Sequence, residues 1–359
     1  MVSLKQKLDY FKGKKIFLTG HTGFKGTWFA SLLIELGADV KGFSLAPITY
    51  PAHFDLLNLN MKSVIGDIRD LSLLKKSIDD YNPDIVFHLA AQALVRYSYE
   101  SPVETYETNV LGTLNLLEAV RGNKSVKALV NITTDKCYKN KEWELPYKES
   151  DELGGYDPYS SSKACSEILT GSYRSSYFNV KDYGKKHNCL IATARSGNVI
   201  GGGDWSEDRI IPDIIRSRID KKTLNIRNPL STRPWQHVLE PLVGYLLLGY
   251  HLLNKEIDYA DAWNFGPDSS QIYSVRDVVE SGNKILNNEL KVEFSQKLDE
   301  YHEANLLILD SSKSIKKLDW KGVLDFKNTI DFTFDWYNKF YNTNELITKE
   351  QIRKYIDRI

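Results

Sequence analysis

The amino-acid sequence predicts an α/β fold, a doubly wound parallel sheet followed by a smaller C-terminal lobe. Two observations predict it. Short β-branched and apolar runs at 15–19, 39–44, 85–90, 128–133 and 190–195 alternate with segments of helical period. That alternation implies parallel βαβ units with right-handed crossovers, and runs this apolar suit a sheet covered on both faces. Beyond Gly201 the texture changes: the loops GGGDWSEDRIIPD and RNPLSTRPWQH are rich in Gly, Pro, Arg and Trp. Such a lobe belongs over the carboxyl ends of the strands, where open α/β sheets bind ligands.

Taken in order, a first strand at 15–19 (KIFLT) leads through a glycine-rich turn into a helix reaching about Leu36, which Gly37 ends. A second strand runs from Asp39 to Ser44, and a third, short one precedes Gly66. The expected division is a dinucleotide-binding domain over 1–197, with 236–262 returning to it, a substrate-binding lobe over 198–342 and a helical tail over 343–359. The tail is read as an accessory or oligomer element. Leu242–Leu253 is strongly apolar but short and interrupted by Gly244 and His251, so it reads as a buried helix rather than a membrane span.

The 359 residues carry 47 Lys+Arg and 47 Asp+Glu, so the basic excess of a nucleic-acid footprint is missing. Cys137, Cys165 and Cys189 form no C-x-x-C pair and are odd in number, which points to reduced thiols. The stretch MVSLKQKLDYFKGKK holds no apolar leader core. A cytoplasmic protein without membrane or nucleic-acid partner is expected. No His/Cys/Asp cluster has metal spacing, so no metal is expected.

The first site candidate is Thr19-Gly20-His21-Thr22-Gly23-Phe24-Lys25-Gly26, between the first strand and its helix. Gly20 permits the tight turn, Gly23 lets amides approach a pyrophosphate, and Gly26 allows close helix–strand packing. The helix N-terminus adds partial positive charge. The second strand lacks the acidic residue that holds a ribose 2′-hydroxyl and ends instead at Ser44. Lys25, Lys41 or Ser44 could tolerate a 2′-phosphate, so NAD is expected with NADP left open. Asp67 is placed to meet the adenine amine, or to cap the helix that starts near Leu71.

The second candidate is Tyr159-Ser160-Ser161-Ser162-Lys163, which sets Tyr and Lys on one helical face. A nearby ammonium, together with a positively charged nicotinamide ring, lowers a phenol toward neutrality, so that it can take a proton from a sugar hydroxyl while hydride leaves the carbon. The plainer reading is a solvated helix pair. Thr133-Thr134-Asp135-Lys136 follows a strand end, giving a hydroxyl beside an acid/base pair, or simply a capped turn.

These motifs, with Leu89-Ala90-Ala91, Asn109 and Gly112-Thr113, resemble the extended short-chain dehydrogenase/reductases, which have a Rossmann-type fold. Thr134-Asp135-Lys136 is similar to the Thr-Asp-Glu signature of the nucleotide-sugar 4,6-dehydratases. The segments GHTGFKG, AAQALVRYSY, TTDKCY, GGYDPYSSSKA, RSGNVIGGGDW, DRIIPD, RPWQHVLEPL and HEANLLILD resemble the branch acting on CDP-glucose. The resemblance covers nearly the whole chain.

It implies a tightly bound NAD and a homodimer or homotetramer. It also implies cofactor contacts from Thr22, Phe24, Ile68, Leu89, Ala90, Ala91, Thr108 and Thr133, beside Gly20, Gly23, Lys25, Gly26, Ser44, Asp67, Tyr159 and Lys163. Thr134, Asp135, Lys136, Tyr159 and Lys163 become the catalytic set, with substrate contacts from Asn198, Arg209, Arg227, Arg233 and His302. The implied reaction oxidises C4, eliminates water across C5 and C6 and returns hydride to C6, in the service of deoxysugar and surface-polysaccharide synthesis. One departure stands out: the family's C5 base is Glu, and here that position is Lys136. A lysine of ordinary pKa, about 10.4, is a poor base at neutral pH, so Lys136 either acts with a depressed pKa or stays charged beside the enolate. The competing readings are another nucleotide-sugar dehydratase or 4-epimerase, and a catalytically silent NAD(P)-binding sensor.

Overall fold

The computed structural model describes residues 2–226, 228–268, 272–295 and 306–359. Seven parallel strands form one sheet: β1 (Lys15–Thr19), β2 (Asp39–Ser44), β3 (Lys62–Ile65), β4 (Ile85–His88), β5 (Ala128–Ile132), β6 (Leu190–Ser196) and β7 (Ala262–Phe265). Their spatial order is β7-β6-β5-β4-β1-β2-β3. The order reverses between β1 and β4, which opens a crevice at the carboxyl ends of those strands. β4, β5 and β6 are buried along their whole length, as the unbroken apolar runs require of strands covered on both faces. The doubly wound α/β class predicted by the sequence is the class observed.

β4 stops at His88, short of the apolar run that continues to Ala90. The Leu89 amide is shared between the Thr19 carbonyl (3.2 Å) and the Thr19 hydroxyl (3.1 Å), and the Ala90 amide goes to that hydroxyl at 3.1 Å. The chain therefore turns beside the glycine loop.

The apolar stretch forms the helix Leu239–Leu253, which lies against β5 and β6. Leu242, Leu246, Leu247, Leu248 and Leu252 are fully buried there, each stabilising the fold by about 2 kcal/mol. The chain then adds β7 at the sheet's edge, paired with β6. Among the described residues, no helix is long and apolar enough to cross a membrane.

The remaining elements after β6 are short. Small strand pairs (199–200 with 236–237, 224–226 with 292–294, 232–233 with 273–274) and the helices Ile210–Ile219 and Val275–Ile285 build the lobe. The tail does not extend as an arm. Its helix Thr348–Ile356 packs on the helix Phe24–Glu35 of the same chain, and Arg353 pairs with Glu35 at 2.9 Å. Gln351, Ile352 and Tyr355 are buried, Gln351 donating to the Phe332 carbonyl and Tyr355 to Glu240, so the tail's apolar face is already satisfied within its own chain.

Candidate active site

The glycine loop shows why each residue type is needed. Gly20 has φ of 76°, and a Cβ there would lie 2.7 Å from the Ala90 amide. A Cβ on Gly26 would strike the Gly20 carbonyl. At Gly23, by contrast, a Cβ would meet nothing nearer than 3.5 Å. Gly23 opens the helix Phe24–Glu35 without a side-chain cap and with no acidic residue in the first turn. An uncapped helix end above open space fits a pyrophosphate, the group a dinucleotide places at such a loop.

Around the loop, Thr22 hydrogen-bonds the Ser44 hydroxyl and the Leu45 carbonyl, both at 2.8 Å, which leaves Ser44 buried at the end of β2. Neither lysine considered for a 2′-phosphate reaches that corner. Lys41 runs along the opposite side to the Ser77 carbonyl, and Lys25 points to β6, its amine 2.9 Å from the Ser196 hydroxyl. Asp67 does not cap a helix: that role falls to Asp70, which accepts from the Leu73 amide. Asp67 instead binds Arg69 at 2.6 Å, and the guanidinium holds its carboxyl below the usual range. Ile68 buries its side chain against Gly112, leaving its backbone at the crevice rim. Phe24 turns toward Gly201, and Leu89, Ala90 and Ala91 form the floor where β4 ends.

Asn109 ties this floor to the catalytic helix. It accepts from the Gln92 amide and donates to the Gln92 carbonyl and the Ser162 hydroxyl. Asn109 and Thr108 lie in a π-helical turn, Glu107–Leu111, a distortion common at functional sites.

The catalytic candidates converge at the ends of β5 and β6. Asp157 caps the helix Pro158–Ser176, whose first turns carry Tyr159 and Lys163. The Thr134 hydroxyl donates to Asp135 at 2.9 Å and lies on the Tyr159 side of the turn, where it pulls the phenol's value down. Asp135 is buried, and burial raises its carboxyl above the ordinary value against the pull of Lys136. The lowered phenol expected from the sequence counts on a positively charged nicotinamide beside the ring as well as on Lys163; the protein groups by themselves act the other way. Burial pushes Tyr159 up to about 12, while Thr134 and Arg209 only partly offset it. Lys163 is itself desolvated, pushed down to about 8, and donates to the Ile132 carbonyl at 3.2 Å.

The Thr133 hydroxyl is not turned to the crevice but donates to the buried Glu167 carboxylate at 2.5 Å. Glu167 also accepts from Thr193 at 2.7 Å and Arg195 at 2.8 Å, and Arg195 reaches the Tyr138 hydroxyl at 2.7 Å. This network braces the Thr133–Thr134–Asp135 turn from behind. Glu167 lies one helical turn after Lys163, so the spacing Tyr159-x-x-x-Lys163-x-x-x-Glu167 was available in the sequence as a single face. Ser196 and Tyr245 were missed outright. Tyr245 arrives on the helix Leu239–Leu253 and hydrogen-bonds Ser196 at 2.8 Å.

A family model described as GDP-mannose 4,6 dehydratase matches residues 17–333. The chain belongs to this family of extended short-chain dehydrogenase/reductases. It is 44% identical to a CDP-glucose 4,6-dehydratase of Salmonella typhimurium over 355 residues, 97% of this chain and 98% of that one. Among solved structures it is similar to an epimerase of Methanothermobacter thermautotrophicus, with a TM-score of 0.82, 23% identity and coverage of 98% and 97%. It is also similar to a dTDP-glucose 4,6-dehydratase of Bacillus anthracis in complex with NAD, with a TM-score of 0.73, 22% identity and coverage of 91% and 97%.

In this dehydratase-family chain the lobe brings two of the expected arginines to the catalytic turn. Arg209 heads the helix Ile210–Ile219, pairs with Asp204 at 3.0 Å and is felt electrostatically by Tyr159. Arg233 donates to the Thr232 carbonyl and is felt by Asp135. Asn198 lies in the turn after β6, its carbonyl accepting from the Gln236 amide. Arg227 and His302 lie outside the described residues. Trp205 and Trp235 are packed, donating to the Tyr341 hydroxyl and the Tyr273 carbonyl. His237 is buried between Trp28 and Phe332 and pushed down to about 3, a neutral structural ring. Among the described residues no group of His, Cys, Asp and Glu could hold a metal.

Proposed function

We propose that the chain is an NAD-dependent CDP-glucose 4,6-dehydratase that forms CDP-4-dehydro-6-deoxy-glucose. The observation that carries this reading is Asp135, a buried carboxyl raised by burial that accepts from Thr134 and is felt electrostatically by Tyr159. A C4 epimerase needs no acid beside its tyrosine; a dehydratase does, because a hydroxyl must leave C6. Support for the substrate comes from the 44% identity to the Salmonella enzyme, while Arg209 and Arg233 suit the diphosphate oxygens. Bound on the glycine loop, NAD, the dinucleotide present in the Bacillus anthracis structure, would supply a hydride acceptor and donor beside Tyr159. No carboxylate closes β2, so NAD is preferred over NADP on these relatives' account rather than by a ribose contact.

Tyr159 takes the C4 hydroxyl proton as the C4–H bond breaks. The new C4 ketone acidifies the C5 proton, which a base removes, and Asp135 protonates the departing C6 hydroxyl so that water leaves. Hydride then enters C6 and the proton returns to C5. Lys136, beside Asp135, either removes the C5 proton or steadies the enolate. Each cycle leaves Tyr159 one proton richer and Asp135 one poorer. The Thr134 hydroxyl, which donates to Asp135 next to Tyr159, is the route by which that proton returns.

The test is turnover of CDP-, UDP-, dTDP- and GDP-glucose, read by the alkali-induced absorbance of the 4-keto product. CDP-glucose should turn over best. Turnover of dTDP-glucose alone refutes the CDP assignment, interconversion at C4 without water loss indicates an epimerase, and inertness toward all four favours a binding-only role.

A further inference from the structure

The loop that leads into the lobe is fastened at nearly every residue. The Gly202 carbonyl accepts from the Trp28 indole at 2.8 Å, and a Cβ on Gly202 would strike the Trp336 ring. Gly203 has φ of 78°, and a Cβ there would lie 2.5 Å from the His53 ring. At Asp204 the backbone is gripped from both sides by one fully buried hydroxyl, that of Tyr337 on the helix Phe326–Thr343. That hydroxyl accepts from the Asp204 amide at 3.0 Å and donates to the Asp204 carbonyl at 2.6 Å. The Asp204 carboxylate accepts from the Ser206 amide through Oδ1 at 3.0 Å and from Arg209 Nη1 through Oδ2 at 3.0 Å.

The two ends of this ion pair are unequal. The Asp204 side chain is 7% exposed and the Arg209 side chain 34%, so the carboxylate is the anchor and the guanidinium the group being held. Among the described residues Asp204 is the one carboxylate paired with Arg209, and the remaining guanidinium nitrogens, Nε and Nη2, make no hydrogen bond to the chain. Arg209 also faces like charge, because Lys25 feels both it and Lys163. Repulsion of that sign drives a long side chain toward solvent unless a fixed anion opposes it. A guanidinium held in place before an anion arrives loses less freedom on binding it.

We propose that Asp204, locked by Tyr337, is a positioning residue that holds the Arg209 guanidinium toward the diphosphate of a nucleotide sugar. The inference rests on the reading that a nucleotide sugar occupies this site. It assigns the helix Phe326–Thr343 a part in substrate binding without contact to substrate.

The experiment is steady-state turnover of CDP-glucose by the wild type, Asp204→Asn, Arg209→Met and the double variant, with CDP and cytidine as competitive inhibitors. Asp204→Asn is isosteric and keeps an acceptor for the Ser206 amide. It should raise KM and the CDP inhibition constant on the order of tenfold, with kcat within about threefold and cytidine inhibition unmoved. In the Arg209→Met background it should add nothing further. Tyr337→Phe leaves the carboxylate in place but releases its backbone; it should raise KM in the same direction, again only when Arg209 is present, and it decides the matter if Asp204→Asn does not fold. Effects that multiply with Arg209→Met, or an equal weakening of CDP and cytidine, overturn the proposal. If the wild type turns over a different nucleotide sugar, the CDP reading falls and the same comparison on that substrate decides the role of Asp204. A wild type that binds no nucleoside diphosphate overturns both.

Discussion

Glu240 offers a stability test that leaves the chemistry untouched. Its carboxylate is buried at the start of the helix Leu239–Leu253, with no cation beside it among the described residues. It accepts from the amides of Val323 (3.0 Å) and Leu324 (2.7 Å) and from the Tyr355 hydroxyl (2.7 Å), so it clamps the 320–324 turn and the C-terminal helix to the sheet. Burial outweighs these donors and raises the carboxyl from 4.5 to about 7. Because the folded state holds the proton more tightly than the unfolded chain, stability is greatest below pH 4.5 and falls as pH rises through 7. The two and a half units correspond to about 3 kcal/mol, which for a chain of this length is roughly 4 °C in Tm. Glu240→Gln should remove that loss. The carboxamide oxygen can accept from both amides and its NH₂ can donate to Tyr355. Thermal unfolding by circular dichroism should show the variant melting about 4 °C above the wild type at about pH 8.5, with the gap closing toward about pH 5. Parallel Tm–pH curves for the two proteins would refute the argument.

Tyr159→Phe should lower kcat by on the order of 10²–10⁴ while dinucleotide binding survives; unchanged turnover removes the phenol from the mechanism. Lys136→Ala should let C4 oxidation proceed but slow elimination, so reduced cofactor accumulates at its near-ultraviolet band; a normal product rate excludes Lys136. Thr134→Val should complete a first turnover faster than later ones, with the later turnovers rescued by small buffer acids. Equal slowing of all turnovers would confine Thr134 to the chemical step. Glu167→Ala strands the buried Arg195 guanidinium and should cost about 3–5 kcal/mol, roughly 4–7 °C in Tm. Glu167→Gln should also move the alkaline limb of the pH–rate profile to lower pH, because Glu167 holds the Lys163 amine up; a limb that stays put separates the two residues.

Much of the site could be read along the chain because its chemistry is local. Gly20, Gly23 and Gly26 act within one strand–turn–helix, and Tyr159 with Lys163 within one helical turn, so residue type and spacing carry the signal. The same holds for the strands: unbroken apolar runs at β4, β5 and β6 mark burial on both faces whatever their neighbours. The Tyr159 phenol shows where local reasoning stops. An ammonium together with a charged nicotinamide predicts a lowered value, whereas burial, a property of the whole chamber, acts the other way.

The doubly wound class and the glycine loop are legible along the chain, because each depends on periodicity or on neighbours a few residues apart, whereas Thr134, Asp135, Lys136, Tyr159 and Lys163 are singled out as a catalytic set by resemblance. Tertiary structure alone decided that Lys25 turns to Ser196 and Tyr245 rather than to the ribose corner, and that Thr133 is spent on Glu167. It also decided that the tail folds onto its own first βα unit. Those outcomes pair groups as far apart as Lys25 and Tyr245. Which distant hydroxyl or carboxylate a side chain meets is set by how the helices pack on the sheet, and no window along the chain encodes it.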